Sequence, residues 1–237
     1  MALLARIAWW ELVGRDLAAA QRQYAALGWQ LRELGLRQRY PLWTQAGQGR
    51  AGWAMLPKEA LDAGAVPHWM PCAVSGDLTA VLGRVGRLAG QVVLEPCQVP
   101  HLGLVATLVD PQGAALTLLQ PTAKMRRFLL APTSPPPVLW AADPAALAPF
   151  YAQLLGWQVL SEAGPGLLLG GQGIACAELA PRPAGAPPLW LPRWQVRDGE
   201  NLVRRWQNAG GRSEGAVLLD GEGLASLLGP APAPQPR

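Results

Sequence analysis

Residues 5–13, Ala-Arg-Ile-Ala-Trp-Trp-Glu-Leu-Val, are a predominantly apolar run rich in aromatic and branched residues. Such a run predicts a strand, and a period of two places Ile7, Trp9, Glu11 and Val13 on one face. Gly14-Arg15 turns the chain. Asp16 suits an N-cap, and Leu17, Tyr24 and Leu27 follow at roughly helical spacing. Gly28 fits the position just past a helix end. Short strands are then expected over residues 30–34, 40–45 and 52–56, separated by Gly- and Gln-rich turns.

The order repeats. After a connector over 60–67, residues 69–74 read as a strand, Ser75-Gly76 as a turn and Asp77 as a second N-cap. Leu78, Val81, Leu82, Val85 and Leu88 form an apolar helical stripe that Gly90 closes. Strands are expected over 91–94, 102–109 and 115–119, and Asp110-Pro111-Gln112-Gly113 is a β-turn between the last two. Residues 5–58 and 67–121 are thus each a strand, a helix and three strands.

Two further copies follow. In the third, Pro137-Val138-Leu139-Trp140 leads to Asp143, Tyr151 and Gly156-Trp157; Tyr lies eight residues after Asp, as it does between Asp16 and Tyr24. In the fourth, Trp190, Pro192 and Asp198 repeat Trp69, Pro71 and Asp77 at an offset of 121 residues. Only 10 residues separate Gly210 from Asp220, against 20 from Gly90 to Asp110, so the fourth copy is expected to lack about one strand. Chain order then suggests an α+β protein of tandem βαβββ modules paired into two domains. These are 1–122 and a degenerate 137–230, joined by a Pro-rich linker over 123–136 and followed by a disordered tail over 231–237.

Composition narrows the function classes. Half of the 237 residues are hydrophobic and 15% are charged. No stretch of 18 apolar residues suggests a membrane span, and the first residues lack the pattern of a signal peptide. A cytoplasmic protein is expected. Cys72, Cys97 and Cys176 are widely spaced and read as buried free thiols. The net charge is +4, and its one dense cluster, Lys124-Met125-Arg126-Arg127, reads as a solvated linker. No basic stripe with interleaved aromatics points to nucleic acid. Gly170-Gly171-Gln172-Gly173 is a hairpin signal, since no Lys-Ser/Thr and helix follow it as a phosphate loop requires.

The order of Trp10-Glu11-Leu12, Asp16, Tyr24 and Gly28-Trp29, of Trp69-Met70-Pro71 and Asp77, and of Asp110-Pro111-Gln112-Gly113 with Leu119-Gln120-Pro121 resembles the vicinal oxygen chelate superfamily. That superfamily is the glyoxalase/bleomycin-resistance/extradiol-dioxygenase fold, and the likeness is to its two-domain glyoxalase-like proteins. It covers roughly residues 5–230. The resemblance implies a small-molecule cleft with a metal bound by a residue seven before the capping Asp, one early in the next module's first strand and a Glu seven after the turn Asp. Here those positions hold Trp9, Trp69 and Thr117, and in the second half Pro136, Leu191 and Ser226. None is a ligand that a divalent ion would take from the usual His, carboxylate or thiolate set. No metal and no cofactor are therefore expected.

The chain holds 11 Trp against 2 Phe and 3 Tyr. Trp9, Trp43, Trp53 and Trp69 on first-domain strands either fill the interior or line a pocket for a flat or cationic ligand, with Glu11 and Thr117 as its polar contacts. Glu11 is either a salt-bridged wall residue or a base. His68 should point away from Trp69, toward solvent, and His101 is a loop acid/base candidate. The expectation is a metal-free small-molecule-binding protein, monomeric or homodimeric, whose ligand is an aromatic or cationic compound. The alternatives are a metal-independent lyase or isomerase using Glu11 or His101, and an interaction module with filled clefts.

Overall fold

The structure is a computed structural model that describes residues 5–34, 40–100, 102–129, 135–196 and 198–229. The first module runs β1 (Ile7–Gly14), α1 (Leu17–Tyr24), β2 (Gln30–Leu34), β3 (Tyr40–Gln45) and β4 (Gln48–Met55), and a short α2 (Lys58–Asp62) follows it. The second runs β5 (His68–Val74), α3 (Leu78–Val85), β6 (Gln91–Val99), β7 (Gly103–Val109) and β8 (Ala115–Pro121), with α4 (Ala123–Leu129) after it. The third is β9 (Val138–Ala141), α5 (Pro144–Leu155), β10 (Gln158–Ala163), β11 (Gly166–Gly171) and β12 (Ile174–Pro181). The last is β13 (Leu189–Leu191), β14 (Arg193–Gln195), α6 (Gly199–Asn208), β15 (Arg212–Glu214), β16 (Val217–Leu219) and β17 (Ala225–Gly229).

The helices begin where four aspartates cap them. Asp16, Asp77, Asp143 and Asp198 each accept a backbone N–H three residues on, from Ala19, Ala80, Ala146 and Asn201, at 2.9–3.1 Å. Each satisfies a donor that a first helical turn leaves open. Gly28 and Gly156 end the first and third helical segments at φ +75° and +74°. In the second module Ala89, not Gly90, takes that left-handed position, at φ +61°. Gly90 is kept small for another reason: a Cβ there would lie 2.9 Å from Phe150 Cε2 and 3.1 Å from the Val109 carbonyl oxygen.

The fourth module keeps all three of its later strands. Its shortening falls on strand length: β15 and β16 have three residues each where β6 and β7 have nine and seven. That loss of ten strand residues matches the missing spacing. Its first strand is broken at Pro192, which has no N–H to donate, into β13 and β14.

Two departures from the sequence reading concern the linker and the thiols. Residues 123–129, expected within an extended linker, form α4, because no Pro interrupts them and Thr122 caps them: Met125 N–H donates to Thr122 Oγ1 at 3.3 Å. Residues 130–134 and the tail 231–237 lie outside the described residues. Cys72 and Cys176 are buried thiols, but Cys97 is exposed, because most of the β6 side chains face solvent.

The chain forms two compact units that do not follow chain order. The described residues up to Trp9 and from Met70 to Leu191 make unit 1; those from Trp10 to Trp69 and from Pro192 onward make unit 2. Compactness therefore groups the second module with the third and the first with the fourth, whereas the boundaries 1–122 and 137–230 group neighbours along the chain. In unit 1, strands are ordered β5-β8-β7-β6 and β10-β11-β12-β9-β13. Val74 N–H there donates to the Arg6 carbonyl at the start of β1, at 2.9 Å. In unit 2 the orders are β2-β3-β4-β1 and β14-β17-β16-β15. Parallel pairing of β1 with β4, β5 with β8, β9 with β12 and β14 with β17 closes each module.

Each unit has an aromatic centre built to one plan. In unit 2 the Tyr24 ring stacks on Trp29 at 5.5 Å and meets Trp69 edge-on at 5.7 Å. In unit 1 Tyr151 stacks on Trp157 at 5.6 Å and meets Trp190 edge-on at 5.7 Å. The Gly-Trp after each Tyr thus supplies the stacking ring, and the Trp-x-Pro of a later strand supplies the edge. All six rings are buried. Burial of such rings is a large share of what holds a domain of this size together.

Candidate functional site

Backbone register separates the candidate residues onto two faces. Glu11 pairs with Gly52 and Leu12 with Trp53, so Trp53 shares the face of Leu12 and Trp10 while Glu11 points the other way. Trp10 meets Trp69 edge-to-face at 6.2 Å, and Trp69 in turn meets Tyr24 of α1. Trp43 lies 5.6 Å from the Tyr24 ring. Trp43, Trp53 and Trp69 are 0%, 6% and 2% exposed. These three, expected either to fill the interior or to line a pocket, are buried residues of unit 2. For Trp43 and Trp69 the reason is packing: both indoles lie against the Tyr24 ring.

Trp9 and Thr117 belong to unit 1. Thr117 stands opposite Cys72 on β5, and its Oγ1 lies 3.0 Å from Thr107 Oγ1 on β7. Beside this hydroxyl pair Cys72, Val74, Val105 and Leu119 form a buried apolar patch, with Trp9, Val99, Leu102 and Met125 packed against it and partly buried. Strands β5, β7 and β8 position the patch by simple alternation, and Met125 reaches it because α4 is a helix. The result is a buried apolar cluster with one polar pair beside it, bordered by partly buried side chains.

Glu11 and His68 lie in unit 2. Both are half-buried. His68, expected to face solvent, has its Nδ1 2.8 Å from the Val66 carbonyl oxygen. Burial lowers its pKa, and the Val66 carbonyl pulls the other way less strongly. His101 lies outside the described residues.

Sequence reasoning identified the repeated Tyr and the repeated Asp-x-x-Gly turns, but not that they bind each other. Tyr24 donates to Asp220 Oδ2 at 3.3 Å, and Tyr151 donates to Asp110 Oδ2 at 2.8 Å. The other oxygen of each carboxylate accepts two backbone N–H groups of its own turn, from Glu222 and Leu224 and from Gln112 and Ala114, at 2.9–3.0 Å. Burial raises the pKa of both acids, that of Asp220 to about 6, against the lowering effect of these hydrogen bonds. Burial and the facing carboxylate together raise both tyrosines well above their ordinary range. At separations of 196 and 41 residues such pairings leave no local signal. Arg15 adds to the turn in unit 2, its backbone N–H and Nε donating to Glu222 at 2.9 and 3.2 Å.

A divalent metal does not fit these residues. Trp9 and Trp69 offer no donor atom of the needed kind, and the Thr117 hydroxyl is engaged with Thr107. Among the described residues no group of three or more His, Cys, Asp or Glu converges. Two open grooves in unit 1, of about 560 and 510 Å³, run along α5 and are lined by none of the residues singled out as candidate ligand contacts. Among the described residues no helix is long and apolar enough to cross a membrane.

Comparison with known proteins establishes the fold. No family model matches the chain. A segment of 89 residues, 38% of this chain, is 33% identical to "Putative glyoxylase CFP32" of Mycobacterium bovis and of Mycobacterium tuberculosis, and spans 33% of the length of those proteins. Among solved structures, the Mn(II)-bound glyoxalase from Novosphingobium aromaticivorans matches with a TM-score of 0.63 at 13% identity, over 97% of this chain and 83% of that one. The 2,2',3-trihydroxybiphenyl 1,2-dioxygenase of Sphingomonas wittichii matches with a TM-score of 0.62 at 13% identity, over 97% and 91%. Homoprotocatechuate 2,3-dioxygenase of Brevibacterium fuscum matches with a TM-score of 0.62 at 15% identity, over 96% and 71%. The chain has the vicinal oxygen chelate fold of glyoxalases and extradiol dioxygenases, as its repeats indicated.

Proposed function

We propose that this chain is a metal-independent small-molecule-binding protein of the glyoxalase/bleomycin-resistance type. Its binding surface is the apolar face of β5, β7 and β8 in unit 1, with Trp9 and Met125 at its border and the Thr107–Thr117 pair as its polar contact. The observation that carries this reading is the side-chain chemistry at the positions where the fold resemblance implies metal ligands. Thr117 takes the place of a carboxylate and is bonded to another hydroxyl, and Trp9 packs against the cluster of Cys72, Val74, Val105 and Leu119. Fold likeness alone does not transmit an activity, so the reading rests on this site and not on the neighbours.

The test is a thermal-shift and tryptophan-fluorescence screen against flat aromatic and cationic compounds, with and without divalent metals. A ligand that binds the folded state raises Tm by mass action. The expected result is a hit whose shift is unchanged by metal and reduced by Trp9→Ala. A hit that requires Mn2+ or another divalent ion overturns the metal-independent reading. No hit across a broad panel points instead to a face filled by its own side chains and an interaction role.

A further inference from the structure

The larger of the two grooves along α5, of about 560 Å³, lies wholly within unit 1. The Ser75-Gly76-Asp77 turn and α3 line one part of it, and the last turn of α5 lines another. The two helices are tied at one point, where Arg84 Nη2 donates to the Leu154 carbonyl at 3.3 Å. Ala80, Val81, Ala152 and Leu155 give the groove an apolar lining. Its volume is in the range of small-molecule clefts.

Three side chains bring polar atoms to this groove. Ser75 is 4% exposed, and its hydroxyl bonds to no other described residue. A buried hydroxyl without a partner calls for an explanation, and the groove is what Ser75 borders. Asp77 caps α3 with one oxygen, Oδ1, which accepts the Ala80 N–H at 2.9 Å. No described residue donates to its Oδ2. Arg84 spends one of its five N–H donors on Leu154. Neither Asp77 nor Arg84 is in an ion pair with a described residue.

Spacing then selects a ligand. Asp77 and Arg84 are seven residues apart, close to two helical turns, so they stand on one side of α3 about 10 Å apart. Three extended peptide residues span about 10 Å. The geometry points to this groove as a binding site for a short peptide with free ends, about three residues long. Its ammonium meets Asp77 Oδ2 and the Ser75 hydroxyl, its carboxylate meets the spare donors of Arg84, and its side chains lie on the apolar lining. An ammonium offers only donors, which suits a carboxylate and a hydroxyl, and a guanidinium fork matches a carboxylate. None of the residues named on the β5, β7 and β8 face lines this groove, so the inference goes beyond the reading above and does not rest on it.

The test is calorimetric titration of the full chain with trialanine, N-acetyl-trialanine, trialanine amide and alanine. The expected result is binding of trialanine, with each blocked form and free alanine weaker by roughly tenfold or more. Asp77→Asn, which keeps a good cap, should bind trialanine as weakly as the parent binds the N-acetyl form, and N-acetylation should then cost nothing more. Arg84→Gln should lose its sensitivity to amidation in the same way, and Ser75→Ala should weaken trialanine but not the N-acetyl form. Equal binding of the blocked and free peptides overturns the assignment, as does a loss in either charge variant that does not track its own peptide end. No binding of any of the four up to millimolar concentration overturns it too. The blocked peptides are read on the unmodified protein, so a variant that fails to fold does not remove the test. The aromatic and cationic screen of the other face succeeds or fails separately.

Discussion

Tyr24 donates its hydroxyl to Asp220 across 196 residues of chain, and Tyr151 makes the same bond to Asp110 across 41. The two bonds join the helix of one module to the turn of another inside each unit. Removing the hydroxyl leaves a buried carboxylate oxygen without its donor, which costs about 1–3 kcal/mol. Tyr24→Phe and Tyr151→Phe should each destabilise by that amount in urea unfolding. The stacked Trp29 and Trp157 should keep their environment, read by near-UV circular dichroism. A loss under about 0.3 kcal/mol in both would mean that water replaces the hydroxyl.

Stability should depend on pH through Asp220. Its pKa rises from 3.8 in the ordinary range to about 6 when folded. The folded state therefore holds its proton more tightly than the unfolded chain. The contribution is complete below about pH 4, is lost as pH rises through 6, and is flat above. A shift of this size corresponds to a loss on the order of 3 kcal/mol. Asp110 acts in the same direction in unit 1. Urea midpoints from pH 4 to 8 should fall more steeply for the parent chain than for Asp220→Asn. Parallel curves for the two would show that the residue is not buried as described.

Ala89 carries φ +61°, a left-handed conformation that costs an L-residue about 1 kcal/mol relative to glycine. Ala89→Gly should therefore raise stability by up to about 1 kcal/mol, less the extra entropy glycine gains when unfolded. Gly90→Ala should do the reverse, because its methyl would meet the Phe150 ring and the Val109 carbonyl. Differential scanning calorimetry of the two variants should show Tm shifts of opposite sign.

Thr107 and Thr117 should be energetically coupled. Converting either to Val strands the other hydroxyl in a part-buried site and should cost about 1 kcal/mol, whereas the double change should cost less than the sum. A double-mutant cycle measures this directly. Strict additivity would mean that each hydroxyl is satisfied by solvent.

Much of this fold was legible because its signals are local. Asp16, Asp77, Asp143 and Asp198 set the helix starts by their own side chains, and spacing alone revealed the four modules. The helical state of residues 123–129 was missed because attention to Pro132 and the prolines after it obscured a Pro-free run with a Thr cap. The site was less legible. Alternation put His68 and Trp69 on opposite faces of one strand, but the burial of Trp69 depends on Tyr24, 45 positions earlier. Glu11 and Trp9 could be put on a face but not assigned neighbours, since strand register is set by pairing and not by composition.

The interleaving of the two units has a consequence for biosynthesis. Unit 1 draws nearly all its residues from one uninterrupted run, Met70 to Leu191, and can condense as soon as that run has left the ribosome. Unit 2 is split between the beginning and the end of the chain. Tyr24, Trp29, Trp43 and Trp69 are made first, yet Trp206 and Asp220 follow only after the whole of the Met70–Leu191 run. Until then a cluster of indoles waits without its closing partner, and such surface attracts chaperones and favours aggregation. Slow translation of the fourth module would prolong that exposure, so yield in cells should track the speed at which that module is completed.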